Sequence, residues 1–500
     1  MAKSFILALD QGTTSSRALV VDSLGHISGL GQFPFQQHFP RPGWVEHDLE
    51  EIWSSTVDAI SGALANAEIE IGQISAIGIT NQRETVAIWD RKTSEPVGPA
   101  IVWQDRRTAD LCQRLRDEGR EPLITARTGL RLDPYFSGTK LAWMFANNPD
   151  LLRSAIEGSL AAGTIDSWLI WKLTGGRSHV TDFTNASRTL LFNIDARSWD
   201  DDLLDMQLVP RGMLPRLQPS RSLFGTTSPE VLAAEIPVLG VAGDQQAAVF
   251  GHALSAKGEA KNTYGTGCFM LANAGATRVH SSTGMLGTLG AGSSAAQAEY
   301  LLEGSVFVAG AAVQWLRDEL GFFHSASEIE TLASQVDDNG GVAFVPAFTG
   351  LGAPDWDPHA RGAILGLTRG ITKAHIARAA LEAIAFSSAE LLSAMSTDLG
   401  TSISTLRVDG GASDNDLLMQ MQADLAGVNV ERPRETETTA LGAAYLAGMQ
   451  LGIWSNVDEV AVLNPTVRLF EPQMSDSDRA ERLAGWRRAV GRTLGWAQDP

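Results

Sequence analysis

Leu9-Asp10-Gln11-Gly12-Thr13-Thr14-Ser15-Ser16-Arg17 is the stretch on which the reading of the fold turns. It lies between two apolar runs, Phe5-Ile6-Leu7-Ala8-Leu9 and Ala18-Leu19-Val20-Val21, each of strand length. Between them stands a turn of one glycine and four hydroxyl residues, which presents N–H and O–H donors at its tip. Phosphate oxygens only accept hydrogen bonds, so such a tip suits a polyphosphate. Asp10 places a carboxylate beside those donors, the hard oxygen ligand that Mg²⁺ takes. A merely polar hairpin turn is built from the same residue types, so the decision rests on the rest of the chain.

The chain has 500 residues, more than one small core accommodates, which predicts two domains. It is 44% hydrophobic and 19% charged, an ordinary globular composition. Lys plus Arg number 39 against 58 Asp plus Glu, a formal charge of −19, which argues against a nucleic-acid or anionic-membrane surface. An anionic substrate must therefore meet local positive groups. Two cysteines, Cys112 and Cys268, make neither a disulfide framework nor a thiolate metal site, and predict a reducing cytoplasm. The segment from Met1 to Asp10 is too short and unflanked for a signal peptide, and no run approaches the roughly 20 apolar residues of a membrane span.

Working outward from the opening hairpin, Ile27–Phe33 reads as a third strand, and Pro34, Pro40 and Pro42 mark a loop. Asp48 with Glu51 forms a capping-box pattern, and Leu49, Ile52, Trp53, Thr56, Val57, Ile60 and Leu64 predict a helix over 49–66. Ile74–Thr80 and Val86–Asp90 read as strands, and Trp103–Arg107 as the opening of a helix towards Leu115. The pattern over 139–172 is mostly helical, and 180–235 is loop-rich. A short strand, Val238–Gly243, leads into Asp244-Gln245-Gln246 and a helix start. Near residue 250 the plan repeats: Ala260–Tyr264 as strand, Gly265-Thr266-Gly267 as tight turn, Cys268–Ala272 as strand. A third glycine turn follows the strand ending at Asp409-Gly410-Gly411, with Leu417, Leu418, Met421 and Leu425 continuing as a helix. Two halves with matching strand–turn–strand openings predict two domains of like topology, 1–250 and 251–500.

Five ordered motifs now carry a resemblance: Leu9–Arg17, Gly78-Ile-Thr-Asn-Gln-Arg-Glu-Thr85, Ala242-Gly-Asp-Gln-Gln246, Tyr264-Gly-Thr-Gly-Cys268 and Asp409-Gly-Gly-Ala412. Together they resemble the FGGY carbohydrate kinases of the actin-like ATPase superfamily, from the N-terminus to about residue 450. Within that family, Asn81-Gln82-Arg83-Glu84-Thr85 looks like the branch acting on glycerol. The resemblance implies an α/β fold of two actin-like (ribonuclease H-like) domains facing a nucleotide and substrate cleft that closes on binding. It implies transfer of the γ-phosphoryl group of ATP, with Mg²⁺, to glycerol, giving sn-glycerol 3-phosphate for glycerol catabolism. Phosphoryl transfer of this kind depends mainly on positioning and charge neutralisation.

Carried over position by position, the resemblance puts Arg83, Glu84, Tyr135, Asp244 and Gln245 on the polyol, with Trp103 and Phe269 as apolar walls. Asp244 would be the general base, a role that a helix-capping aspartate shares without conflict. Thr13, Thr14, Ser15, Arg17 and Thr266 would hold phosphate, and Asp10 the metal. Gly310, Gln314, Gly411 and Asn415 would contact the nucleotide. An ion pair on the surface is the ordinary alternative for Arg83 and Glu84, and plain packing for Tyr135, Gly310 and Gln314. The family also suggests a cytoplasmic homo-oligomer, dimer or tetramer. Some members bind fructose 1,6-bisphosphate through a Gly-Gly-Thr-Arg loop and others are activated by phosphorylation of a loop histidine. Here Gly225–Pro237 lacks that motif and any Lys or Arg, and no His lies between His179 and His252, so neither control is expected.

Overall fold

A computed structural model describes residues 5–497 of the chain, so the reading of the extreme N-terminus falls partly outside the described residues. The chain divides into two compact units. The first comprises Met1–Ser255, Gly287–Tyr300 and Thr438–Leu463; the second comprises Ala256–Leu286, Leu301–Glu437 and Asn464–Pro500.

In the first unit the opening runs form β1 (Phe5–Gln11) and β2 (Ser15–Val21), followed by β3 (Ile27–Pro34). Later segments supply β4 (Ile74–Asn81), β5 (Arg221–Thr226) and β6 (Pro237–Gly243). These six make one sheet in the order β5-β6-β4-β1-β2-β3. β1 pairs antiparallel with β2 and parallel with β4, and β4 pairs parallel with β6. The central strands are apolar without alternation because both faces are covered. On one face lie α1 (Leu49–Ala67) and Trp168, Leu169 and Trp171; on the other lies the small-residue helix Thr438–Leu451, through Ala440, Ala444 and Ala447. α1 begins where expected, with Asp48 Oδ1 accepting from the N–H groups of Glu50 and Glu51. Glu51 instead takes the N–H of Gln36, at 3.0 Å.

The second unit repeats this plan. β7 (Ala260–Tyr264) and β8 (Cys268–Gly275) form an antiparallel hairpin, with β9 (Tyr300–Val306) beside β8. β7 pairs parallel with β10 (Thr405–Asp409), which pairs parallel with β11 (Asn429–Pro433); β12 (Thr466–Phe470) closes that edge antiparallel. Within this seven-stranded sheet the order β9-β8-β7-β10-β11-β12 follows β3-β2-β1-β4-β6-β5, and Leu286–Leu289 adds a seventh strand beyond β9 that the first sheet lacks. The two-domain α/β fold with a hairpin opening each half is thus present in the sheets.

Two local expectations need correction. The helix after Trp103 starts only at Ala109 and runs to Asp117, because Asp105 and Arg107 are committed elsewhere. Asp105 Oδ2 accepts the N–H of Val45 at 2.6 Å, and Arg107 bridges Asp105 and Glu46. Within the stretch expected to be mostly helical, Leu160–Thr164 is a strand paired antiparallel with Val86–Asp90. Its Ala-Ala-Gly core carries little strand propensity, and pairing decides it.

Candidate active site

β1 and β2 place Asp10 directly opposite Arg17. Burial raises the Asp10 carboxyl above its ordinary range, and the Arg17 charge opposes that rise. The period of two along β2 sends Ser16 inward, to the Ser55 hydroxyl at 2.8 Å, while Ser15 and Arg17 share the other face through Gln32. Thr14 is exposed at the tip, and the half-buried Thr13 accepts from Trp103 Nε1 at 2.9 Å.

The end of β4 delivers Arg83 and Glu84, whose side chains are each only 2% exposed, so this is no surface pair. Arg83 Nε lies 3.0 Å from Asp244 Oδ1 and 3.8 Å from Glu84 Oε1. Glu84 is also held by the fully buried Arg188, Nε to Oε1 at 2.7 Å. Two guanidinium groups thus face two carboxylates, and the buried charges are paired. Asp244 is the first residue of the helix Asp244–Gly251, one place beyond the cap position, with Oδ1 accepting the Gln245 N–H at 2.7 Å. Before it, Gly243 has no room for a side chain: a Cβ would stand 2.5 Å from Arg83 Cγ.

Tyr135 is buried against Trp103, ring centroids 5.5 Å apart, with the Arg188 guanidinium 5.6 Å from its ring. Gln245 is buried next to Asp244, and Phe269 lies half-buried on β8 of the second unit. Arg83, Glu84, Trp103, Tyr135, Asp244 and Gln245 all belong to the first unit.

In the second unit Thr266, Gly310, Gln314, Gly411 and Asn415 line one cavity of about 480 Å³. Asn415 also caps the helix Asp416–Ala426, its Oδ1 accepting the Leu418 N–H at 2.8 Å. A Cβ at Gly411 would meet nothing within 4 Å, so this glycine leaves open space rather than relieving a clash.

Several residues of this neighbourhood carried no local signal in the chain. Arg188 neutralises Glu84 from 104 positions away. Gln246 receives Arg83 Nη1 at 3.4 Å and donates to Thr288 at 3.0 Å. Asp182 accepts from the N–H and side chain of both Thr184 and Asn185. Thr184 Oγ1 in turn accepts the Gly243 N–H at 2.9 Å, and Asn185 Oδ1 accepts Asn81 Nδ2 at 3.0 Å. Lys140 is fully buried, and its ammonium caps the carbonyls of Pro134, Tyr135 and Phe136. The Asp-Phe-Thr-Asn run at 182–185, a cap motif inside a stretch read as loop, was the one available hint.

Among the described residues, no group of three or more His, Cys, Asp or Glu stands together as a metal cage. A cation at Asp10 must bring most of its ligands with it, as Mg²⁺ on a polyphosphate does, and the desolvated carboxyl of Asp10 fits one such contact.

The FGGY family of carbohydrate kinases matches over both parts of the chain, its N-terminal domain at residues 5–251 and its C-terminal domain at 260–451. The glycerol kinase of Trichlorobacter lovleyi is 57% identical, covering 99% of this chain and 100% of that protein. That of Bordetella parapertussis is 55% identical over 99% and 98% of the two chains. Among solved structures, Plasmodium falciparum glycerol kinase with ADP superposes with a TM-score of 0.89 at 36% identity, covering 98% of each chain. The chain belongs to the FGGY family of carbohydrate kinases.

Proposed function

We propose that the chain transfers the γ-phosphoryl group of ATP to glycerol, yielding sn-glycerol 3-phosphate, with Asp244 accepting the proton of the attacking hydroxyl. The observation that carries this reading is the Arg83–Asp244 pair at 3.0 Å beside buried Glu84. A polyol hydroxyl both donates and accepts, and this cluster offers it guanidinium and carboxylate together. Arg83 and the Gln245 N–H fix Asp244 through one oxygen, which sets the plane of the carboxylate. Glu84, Tyr135 and Gln245 complete the polyol contacts, and Trp103 and Phe269 serve as its apolar walls.

For the nucleotide, Gly310, Gln314, Gly411 and Asn415 take the base and sugar, a role supported by their shared cavity. Thr13, Thr14, Ser15, Arg17 and Thr266 supply donors to phosphate oxygens, stabilising the charge that develops on the transferred group. Bound Mg²⁺, held from Asp10 directly or through water, would neutralise phosphate charge. In this assignment residues 1–250 handle polyol and phosphate and 251–500 the nucleotide.

The deciding measurement is glycerol-dependent ADP release by the wild type and by Asp244→Asn. Release that glycerol does not stimulate, or a fully active variant, removes the reading.

Cytoplasmic location and a homodimer or homotetramer belong to the same proposal, on family membership; sedimentation giving only monomer would remove the oligomer. No helix among the described residues is long and apolar enough to cross a membrane. The Gly225–Pro237 stretch supports insensitivity to fructose 1,6-bisphosphate. Arg177, which reaches this stretch, has its guanidinium spent on the carbonyls of Thr174, Thr226 and Thr227. Activity is expected to stay unchanged on titration with the bisphosphate, and strong inhibition would show a binding site that these residues do not provide.

A further inference from the structure

The turn at Gly12–Thr14 poses an electrostatic problem. A phosphate oxygen is repelled by carbonyl lone pairs, so a turn that receives one must keep its own carbonyls engaged elsewhere. All three are engaged. Gly12 O accepts from Gln11 Nε2 at 2.7 Å and from Gln82 Nε2 at 3.1 Å. Thr13 O accepts from Gln37 Nε2 at 2.6 Å, and Thr14 O from the Phe35 N–H at 3.3 Å.

The two amides that reach in from outside the hairpin, Gln37 and Gln82, are joined by His47. Its ring is fully buried and stands edge-on to Phe35, centroids 5.0 Å apart. His47 Nε2 lies 2.8 Å from Gln37 Oε1, and Nδ1 lies 3.4 Å from Gln82 Nε2. An amide oxygen only accepts, so Nε2 carries the proton and Nδ1 is left with the lone pair that Gln82 meets. The Gln82 amide is fixed independently, since Thr85 Oγ1 donates to its Oε1 at 2.7 Å. Burial, with a smaller push from His38, takes His47 down to about 4, so the ring is neutral near pH 7 in the tautomer that the Gln37 oxygen requires. Gln82 Nε2 divides its two protons among Gly12 O and Gln11 Oε1, each at 3.1 Å, and the longer contact to His47 Nδ1.

We propose that Gln37, His47 and Gln82 form a positioning network that holds the carbonyls of the Gly12–Thr14 turn and thereby presents its donors to the polyphosphate of the nucleotide. This rests on the reading of residues 10–17 as a phosphate-holding hairpin.

The test is steady-state kinetics with ATP and glycerol varied separately, plus thermal melts, on Gln37→Met, Gln37→Glu, His47→Phe and, as a control on the underlying reading, Thr14→Val. Gln37→Glu keeps the shape and the acceptor for His47 but loses the donor to Thr13 O. Gln37→Met and His47→Phe remove the network's hydrogen bonds and keep bulk. The expected result is a KM for ATP raised about fivefold or more in each network variant, the worth of roughly one hydrogen bond, with the KM for glycerol within about twofold. Wild-type KM for ATP in both Gln37 variants, with Thr14→Val raising it, overturns the network and leaves the phosphate hairpin standing. An unchanged KM for ATP in Thr14→Val as well overturns both. Equal rises in both KM values with a lowered melting temperature assign the three residues to general stability and overturn the positioning role. Should His47→Phe not fold, the half-buried Gln37 pair decides alone.

Discussion

The hairpin of β1 and β2 and the hairpin of β7 and β8 share topology and glycine–threonine turns, yet their turn carbonyls are held by different chemistry. In the first unit side-chain amides hold two of the three, Gln37 and Gln82 donating to Thr13 O and Gly12 O, and the backbone N–H of Phe35 holds Thr14 O. In the second unit the backbone at the start of the helix Gly310–Asp318 does it. Gly265 O accepts from the Gly310 N–H at 3.0 Å, and Thr266 O from those of Ala309 and Ala311 at 2.9 and 3.0 Å. A third variant holds the turn that carries Tyr135, where the Lys140 ammonium meets three successive carbonyls. Backbone donors are indifferent to residue type but demand close approach, and side-chain donors tolerate distance but demand the right amide. The vulnerable positions therefore differ: a glycine in one unit, glutamines and a histidine in the other.

The largest effect belongs to neither hairpin. Asp244→Asn is expected to lower kcat by about 10²–10⁴-fold, as loss of a general base does, with the KM for ATP nearly unchanged. A comparable rise in the KM for ATP would mean that Asp244 serves the nucleotide, and would blur the separation between proton chemistry and phosphate holding.

Next comes a matched pair of glycine substitutions. In Gly310→Ala the new Cβ stands 2.5 Å from Gly265 O, whereas in Gly12→Ala it stands 3.2 Å from Ser15 O. The first forces the helix start away from the hairpin, at a cost of about 1–3 kcal/mol, and raises the KM for ATP; the second is expected to cost less on both counts. Melting temperatures and ATP titrations read the difference. Equal costs would show that close backbone approach does not distinguish the second unit.

The last effect is a slope, smallest when read over a fraction of a pH unit. Burial pulls Lys140 from 10.5 to about 7, against the opposing charges of Glu84, Asp105 and Asp133. Its folded value lies below its unfolded one, so between those pH values the unfolded chain binds the extra proton and stability rises with pH. The contribution is at most about 1.4 kcal/mol per unit. Urea midpoints of the wild type should climb relative to Lys140→Met between pH 7 and 10. Parallel profiles would mean that the turn is held by a lysine of ordinary basicity.

Much of this architecture was legible in the chain because it is local. Glycine and threonine between two apolar runs announce a hairpin, and Asp48 announces α1. Arg83 and Glu84 stand out by following a strand end. What stayed hidden is long-range. Nothing near Arg188 points to Glu84, nothing near Lys140 shows that its ammonium turns back on 134–136, and His47 reads as an ordinary polar residue before a helix. Trp103–Arg107 misled for the same reason: the residues that keep it out of a helix, Val45 and Glu46, lie some 60 positions earlier. The strand Leu160–Thr164 is equally a product of its partner, not of its own alanines and glycine.

The short turn at 182–185 ties two neighbouring strand ends to one buried carboxylate. Through Thr184 it grips the N–H of Gly243, just before Asp244, and through Asn185 it grips Asn81, just before Gln82 and Arg83. Both anchor points depend on the same turn, so the spacing between proton acceptor and guanidinium is expected to hold for as long as the turn does. A cluster mounted this way keeps its geometry until the turn itself gives way, so warming should leave its chemistry intact and then remove it in one step.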